Sequence, residues 1–73
     1  MQTKYIIKMK MPTRPDLDYY YRGQNKEGSH VFDFKRPTAK RYHYIEEAYR
    51  DLSILAAGFH DETLTVIPIK CRT

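Results

Sequence analysis

The sequence predicts an α+β fold: a two-layer, mainly antiparallel four-stranded sheet in the order β-β-β-α-β, with one helix packed on one face. Three observations predict it. Residues 3–11 alternate apolar and basic with period two. Two aromatic runs, Tyr19–Arg22 and His30–Arg36, flank a polar turn with glycine at each end. From Ile45 the apolar spacing changes to three and four, and a final run rich in valine and isoleucine follows.

In the first strand, Tyr5, Ile7, Met9 and Met11 share one face, and Lys4, Ile6, Lys8 and Lys10 the other. Pro12 and Pro15 end it, because proline cannot donate to a ladder, and Asp16-Leu17-Asp18 reads as a loop. Tyr19 to Arg22 forms the second strand. Gly23 to Ser29 is a turn, its glycines suited to backbone angles other residues resist. The third strand runs from His30 to Arg36 and pairs antiparallel with the second; His30, Phe32 and Phe34 face one way, Val31, Asp33 and Lys35 the other.

Thr38 to Tyr44 reads either as a short bent strand or as a turn into the helix. The helix then places Ile45, Ala48, Tyr49, Leu52, Leu55 and Ala56 on its apolar side, with Arg50 and Asp51 toward solvent. Glu46 and Glu47 suit the positive end of the helix dipole, and Gly58 stands where a C-terminal glycine cap belongs. His60-Asp61-Glu62 forms the next turn. Thr63 to Ile69 is the last strand, added beside the first; Pro68 marks it as an edge.

The 73 residues make one domain, 1–73. A chain this short buries only about 60–65% of its unfolded surface, which leaves little volume for a deep, dry pocket. That argues against an enzyme. The single cysteine, Cys71, allows no internal disulfide. Tyr5-Ile6-Ile7 is followed at once by Lys8 and Lys10, so no signal-peptide core forms, and no apolar run approaches the roughly 20 residues of a membrane span. The expected location is the cytoplasm, with no membrane association.

Metal and covalent chemistry find little support. The spacings of His30, His43, His60, Asp61 and Cys71 fit no zinc pattern. Cys71 lacks a nearby positioned base. Asp16 with Asp18, and Glu46 with Glu47, read as a loop and a helix start. Gly23 and Gly28 lack the lysine and hydroxyl residue of a phosphate loop. No cofactor, metal or catalytic residue is expected.

Formal net charge is +4 and uneven. Residues 1–42 hold ten Lys/Arg against four Asp/Glu; residues 43–73 hold three against five. A basic strand half steers acidic partners, or serves solubility alone. Its cations interleave with aromatics, the pattern of both single-strand nucleic-acid platforms and protein hot spots. The candidate partner-binding residues are Lys8, Lys10, Tyr20, Arg22, Lys35, Arg36, Lys40, Arg41 and Tyr42.

Lys4-Tyr5-Ile6-Ile7-Lys8, Tyr20-Tyr21-Arg22-Gly23, and Ala39-Lys40-Arg41-Tyr42 leading to Glu46-Glu47-Ala48 resemble small accessory proteins encoded by bacteriophages and prophages. Tyr44 departs from that pattern, which has a polar helix cap there. Several such proteins bind and block host factors, including anti-CRISPR and other anti-defence inhibitors. The resemblance implies a non-enzymatic protein that docks on a host protein or nucleoprotein complex in a bacterial cytoplasm. Direct nucleic-acid binding through the basic, tyrosine-rich face is the alternative, and a homodimer formed through an exposed strand edge is compatible with either. The net positive charge disfavours DNA mimicry, which relies on acids.

Overall fold

A computed structural model describes residues 2–58 and 63–71. Its elements run β1 (Gln2–Met11), β2 (Arg14–Gln24), β3 (His30–Asp33), a 3-10 turn (Arg36–Thr38), α1 (Ile45–Gly58) and β4 (Thr63–Cys71). The sheet order is β3-β2-β1-β4, antiparallel throughout. This is the predicted α+β arrangement. The turn expected at His60-Asp61-Glu62 lies outside the described residues.

Alternation in β1 sets the two faces. Ile7 joins Tyr21, Tyr42, Ala48 and Leu55 in a buried cluster, and Tyr5, Phe32, Leu52, Leu64 and Val66 pack against it. Each fully buried aliphatic side chain here contributes roughly 1.5–3 kcal/mol. The opposite face carries Lys4, Ile6, Lys8 and Lys10, joined through their ladder partners by Ile69, Ile67, Thr65 and Thr63.

Two strands differ in length from expectation. β2 begins at Arg14 rather than Tyr19. Its pairing jumps from Lys10↔Asp18 to Met11↔Arg14, so Pro15 to Leu17 sit outside the ladder and the missing proline amide breaks no bond. β3 stops at Asp33 rather than Arg36. The Asp33 carboxylate accepts the Lys35 amide at 3.1 Å, which turns the chain out of the sheet. Phe34 is consequently 65% exposed.

The hairpin loop is held by Asn25, whose side-chain oxygen accepts the amides of Glu27 and Ser29, each at 3.0 Å. Gly28 in that loop and Gly23 in β2 have positive φ, 83° and 108°. Gly23 occupies a bulge between Tyr21↔Phe32 and Gly23↔Val31.

The ambiguous segment after Pro37 is both a turn and a short extended piece. Beyond the 3-10 turn, Lys40 N donates to Tyr21 O at 2.8 Å, and Tyr42 exchanges backbone hydrogen bonds with Tyr5 at 2.8 and 2.9 Å. Pairing of β2 with β1 ends at Lys8↔Tyr20, and residues 40–42 occupy the fork beyond it, between Tyr21 and Tyr5.

Helix α1 covers β1 and β4 less broadly than its apolar pattern suggests. Ala48 and Leu55 are buried, but Tyr49 is 51% exposed and Ile45 and Ala56 are exposed too. Asp51 and Ile54 share a cavity with Tyr21, Gln24 and His30, so that flank of the helix overlooks β2 and β3. Gly58 is the last helical residue and lacks the positive φ of a left-handed cap.

Candidate functional site

The fork decides which side of the sheet each residue of 40–43 serves. Tyr42 pairs with Tyr5, and both side chains join the helix side. Antiparallel alternation then puts Arg41 beside Ile6, and His43 beside Lys4, on the face away from the helix. Lys4 Nζ donates to His43 Nδ1 at 2.7 Å across that pair.

This open face has an ordered layout. One cross-strand row reads Asp33, Tyr20, Lys8, Thr65; the next along β1 reads Asp18, Lys10, Thr63. Toward the other end lie Arg41, Ile6 and Ile67, then His43, Lys4 and Ile69. Of the three consecutive tyrosines, Tyr21 is buried in the core and Tyr19 opposes Met9 on the same side. Tyr20 is the one that projects outward, half-buried between Lys8 and Asp33.

Ile6 is 0% exposed although it lies on the face without a helix. Ile67 flanks it on β4 and Arg41 on the other side, while Lys4 and Lys8 lie before and after it. Aliphatic stems of long cations shield apolar surface and leave their charged ends in water.

Two cations of the open face are paired with carboxylates. Lys10 Nζ lies 3.7 Å from Asp18 Oδ1, and Arg22 lies 3.4 Å from Asp33 Oδ2. Both pairs are solvent-accessible and contribute little to stability. Asp18 Oδ1 has no hydrogen-bond donor and depends on Lys10. Among the described residues, the side chains of Lys8, Lys26, Lys35, Arg36, Arg41, Arg50 and Lys70 have no hydrogen-bond or ion-pair partner.

Arg36, Arg41 and Lys70 border one cleft. Arg36, Pro37, Arg41, Ile69, Lys70 and Cys71 line a space of about 460 Å³ at the end of the open face. Among the described residues its lining includes Arg36, Arg41 and Lys70 and no acid.

Lys40 and Tyr42 belong to the other side of the molecule. Tyr42 is only 5% exposed, so its ring offers no platform to a partner. Its hydroxyl donates to Asp51 Oδ2 at 2.6 Å, and Lys40 Nζ approaches the same oxygen at 3.3 Å. Lys40 also lies 5.0 Å over the Tyr42 ring. Burial, and then the bond to Asp51, push the Tyr42 hydroxyl far above its ordinary pKa. Burial also raises Tyr21, whose hydroxyl shares a 2.8 Å hydrogen bond with His30 Nδ1. Both shifts keep the phenols protonated, the opposite of activation for proton abstraction.

The expected binding residues thus divide. Lys8, Lys10, Tyr20, Arg22 and Arg41 share the open face, and Arg36 joins Arg41 at the cleft. Lys35 starts the 3-10 turn beyond the edge of β3, and no hydrogen bond or ion pair ties its side chain to that face. Lys40 and Tyr42 anchor the helix. Asp51, read from sequence as solvent-facing, is their acceptor. It lies three residues after Ala48 and four before Leu55, a spacing that places it beside the buried stripe.

No group of three or more His, Cys, Asp or Glu residues that would hold a metal occurs among the described residues. No helix among the described residues is long and apolar enough to cross a membrane. Comparison of the chain with protein-family models, with curated proteins and with solved structures returned no match.

Proposed function

We propose that this chain is a small phage-type binding protein, without catalytic chemistry of its own, that docks on a host protein or nucleoprotein complex in the bacterial cytoplasm and modulates or inhibits it. The open sheet face is the docking surface. The observation that carries the reading is the row Asp33, Tyr20, Lys8: an outward tyrosine beside an unpaired lysine, framed by two carboxylate-paired cations. Tyrosine and arginine are the side chains most enriched where interfaces concentrate their energy. The basic surplus suits an acidic partner surface and speeds its encounter.

Affinity capture from nuclease-treated bacterial lysate tests this, comparing the wild-type chain with a Lys8→Glu/Tyr20→Ala variant. The wild type is expected to retain a defined partner that the variant loses. Retention of the same partner by both proteins would place docking elsewhere.

A second reading, direct contact with nucleic acid, is favoured by the cleft that Arg36 and Arg41 line, where no acid occurs among the described residues.

A further inference from the structure

We infer that the cleft at the end of the open face binds a backbone phosphate of single-stranded nucleic acid, with Arg36 and Arg41 as its ligands and Pro37 and Ile69 as apolar lining beside them. The inference deepens the second reading above and rests on the open face being the binding face.

Two side chains, Arg36 from the 3-10 turn and Arg41 from the strand-like piece in the fork, bring positive charge to one cleft. Lys70 borders it at the end of β4, where its ladder partner Thr3 sets its side chain on the helix side. Lys10, Arg14, Arg22 and Lys40 each lie near a carboxylate. Arg36 and Arg41 do not, and no acid among the described residues lines the cleft beside them. Like charges held together without a counter-charge repel one another, and an anion relieves that repulsion.

The apolar lining narrows the class of anion. Pro37 and Ile69 present apolar surface between the charged groups, which suits a sugar or base edge beside a phosphate better than a bare hydrated ion. A duplex keeps its bases stacked inside; a single strand can lay one against such a lining. From the cleft the open face continues through Arg41 and Ile6 to Lys8 and Tyr20. A strand anchored at the cleft therefore meets a second cation and an outward aromatic ring along the same surface.

Fluorescence anisotropy of the full chain with a labelled single-stranded oligonucleotide, at low and moderate salt, tests the assignment. An Arg36→Ala/Arg41→Met variant removes two guanidinium groups and keeps an aliphatic stem over Ile6. It should weaken binding by about tenfold or more and reduce the salt slope by roughly one to two. Lys26→Ala, in the hairpin loop far from the cleft in sequence and in charge environment, should change affinity less than about twofold.

Equal weakening by Lys26→Ala would show diffuse charge attraction and overturn the site. Absence of oligonucleotide binding at low salt would overturn it as well. Displacement of the oligonucleotide by inorganic phosphate at comparable concentration would assign the cleft to a free anion instead. Wild-type chain that captures a protein partner but binds no oligonucleotide overturns this inference alone, and wild-type chain that binds oligonucleotide but captures no protein partner overturns the docking proposal alone.

Discussion

The Tyr42 hydroxyl donates a 2.6 Å hydrogen bond to Asp51 Oδ2, and this bond ties the segment in the sheet fork to the helix above it. A phenol that is nearly inaccessible pairs with a carboxylate that Lys40 reaches from the solvent side. Replacing Tyr42 with Phe keeps the ring in the core and removes only the donor. Hydrogen bonds to charged groups are worth about 1.5–3 kcal/mol, and Lys40 retains part of the carboxylate's compensation. Chemical denaturation should therefore show a loss of about 1–2 kcal/mol.

The same bond gives stability a pH dependence on the alkaline side. Tyr42 has a folded pKa raised above the ordinary 10.0, and Tyr21 is raised in the same direction. The folded chain keeps protons that the unfolded chain releases above pH 10. Their contribution is full below that pH and declines as pH rises beyond it. Denaturation midpoints measured across this range should fall, and Tyr42→Phe should fall less steeply. Tyrosinate absorbance of the folded protein should include a late ionisation that the variant lacks.

Gly23 holds φ at 108° in the bulge of β2 against β3. A Cβ there meets Lys40 Cδ at 3.6 Å, an ordinary contact, so space is not the obstacle. Backbone strain is. Gly23→Ala should cost about 1–3 kcal/mol. Its amide-exchange protection should drop first at Lys40 and Tyr42, whose backbone bonds depend on the fork.

Ile6 and Ile54 form a contrasting pair. Ile6 is fully buried on the open face, whereas Ile54 is 56% exposed on the helix. Ile6→Ala should destabilise by about 2–4 kcal/mol and Ile54→Ala by less than about 0.5 kcal/mol. Similar losses for both would mean that Arg41 and Ile67 do not shield Ile6 in solution.

Pro68 stands on the exposed side of the edge strand. Its ladder partner Tyr5 directs both backbone groups to Tyr42, away from β4, so Pro68 turns its own outward. The outer edge of β4 thus lacks a donor there, and Lys70 follows two residues on. Both features discourage strand pairing between copies. Pro68→Val should increase self-association in a concentration series by analytical ultracentrifugation, while the wild-type chain stays largely monomeric at the same concentrations.

Much of this architecture is written in local patterns. Period two in residues 3–11 assigned Ile7 and Met9 to one face and Lys8 and Lys10 to the other, because successive side chains of a strand point oppositely whatever surrounds them. The same rule required one of Tyr19, Tyr20 and Tyr21 to point away from the others. Spacings of three and four located the helix from Ile45 to Gly58. The ends of β2 and β3 were less legible. One depends on a register jump that frees Pro15, the other on the Asp33 carboxylate capturing an amide two residues on.

Tertiary structure alone divided the basic segment. In sequence, Lys40, Arg41 and Tyr42 form one charged aromatic cluster; in the fold, Lys40 and Tyr42 turn to Asp51, and Arg41 turns to the open face and its cleft. Nothing local distinguishes these three residues. Their sides follow from the pairing of Tyr42 with Tyr5, which requires β2 to part from β1 after the Lys8↔Tyr20 pair and make room. The sequence by itself determined which residues alternate; which face each joined was decided where distant strands met, because a one-residue shift in pairing would exchange both faces.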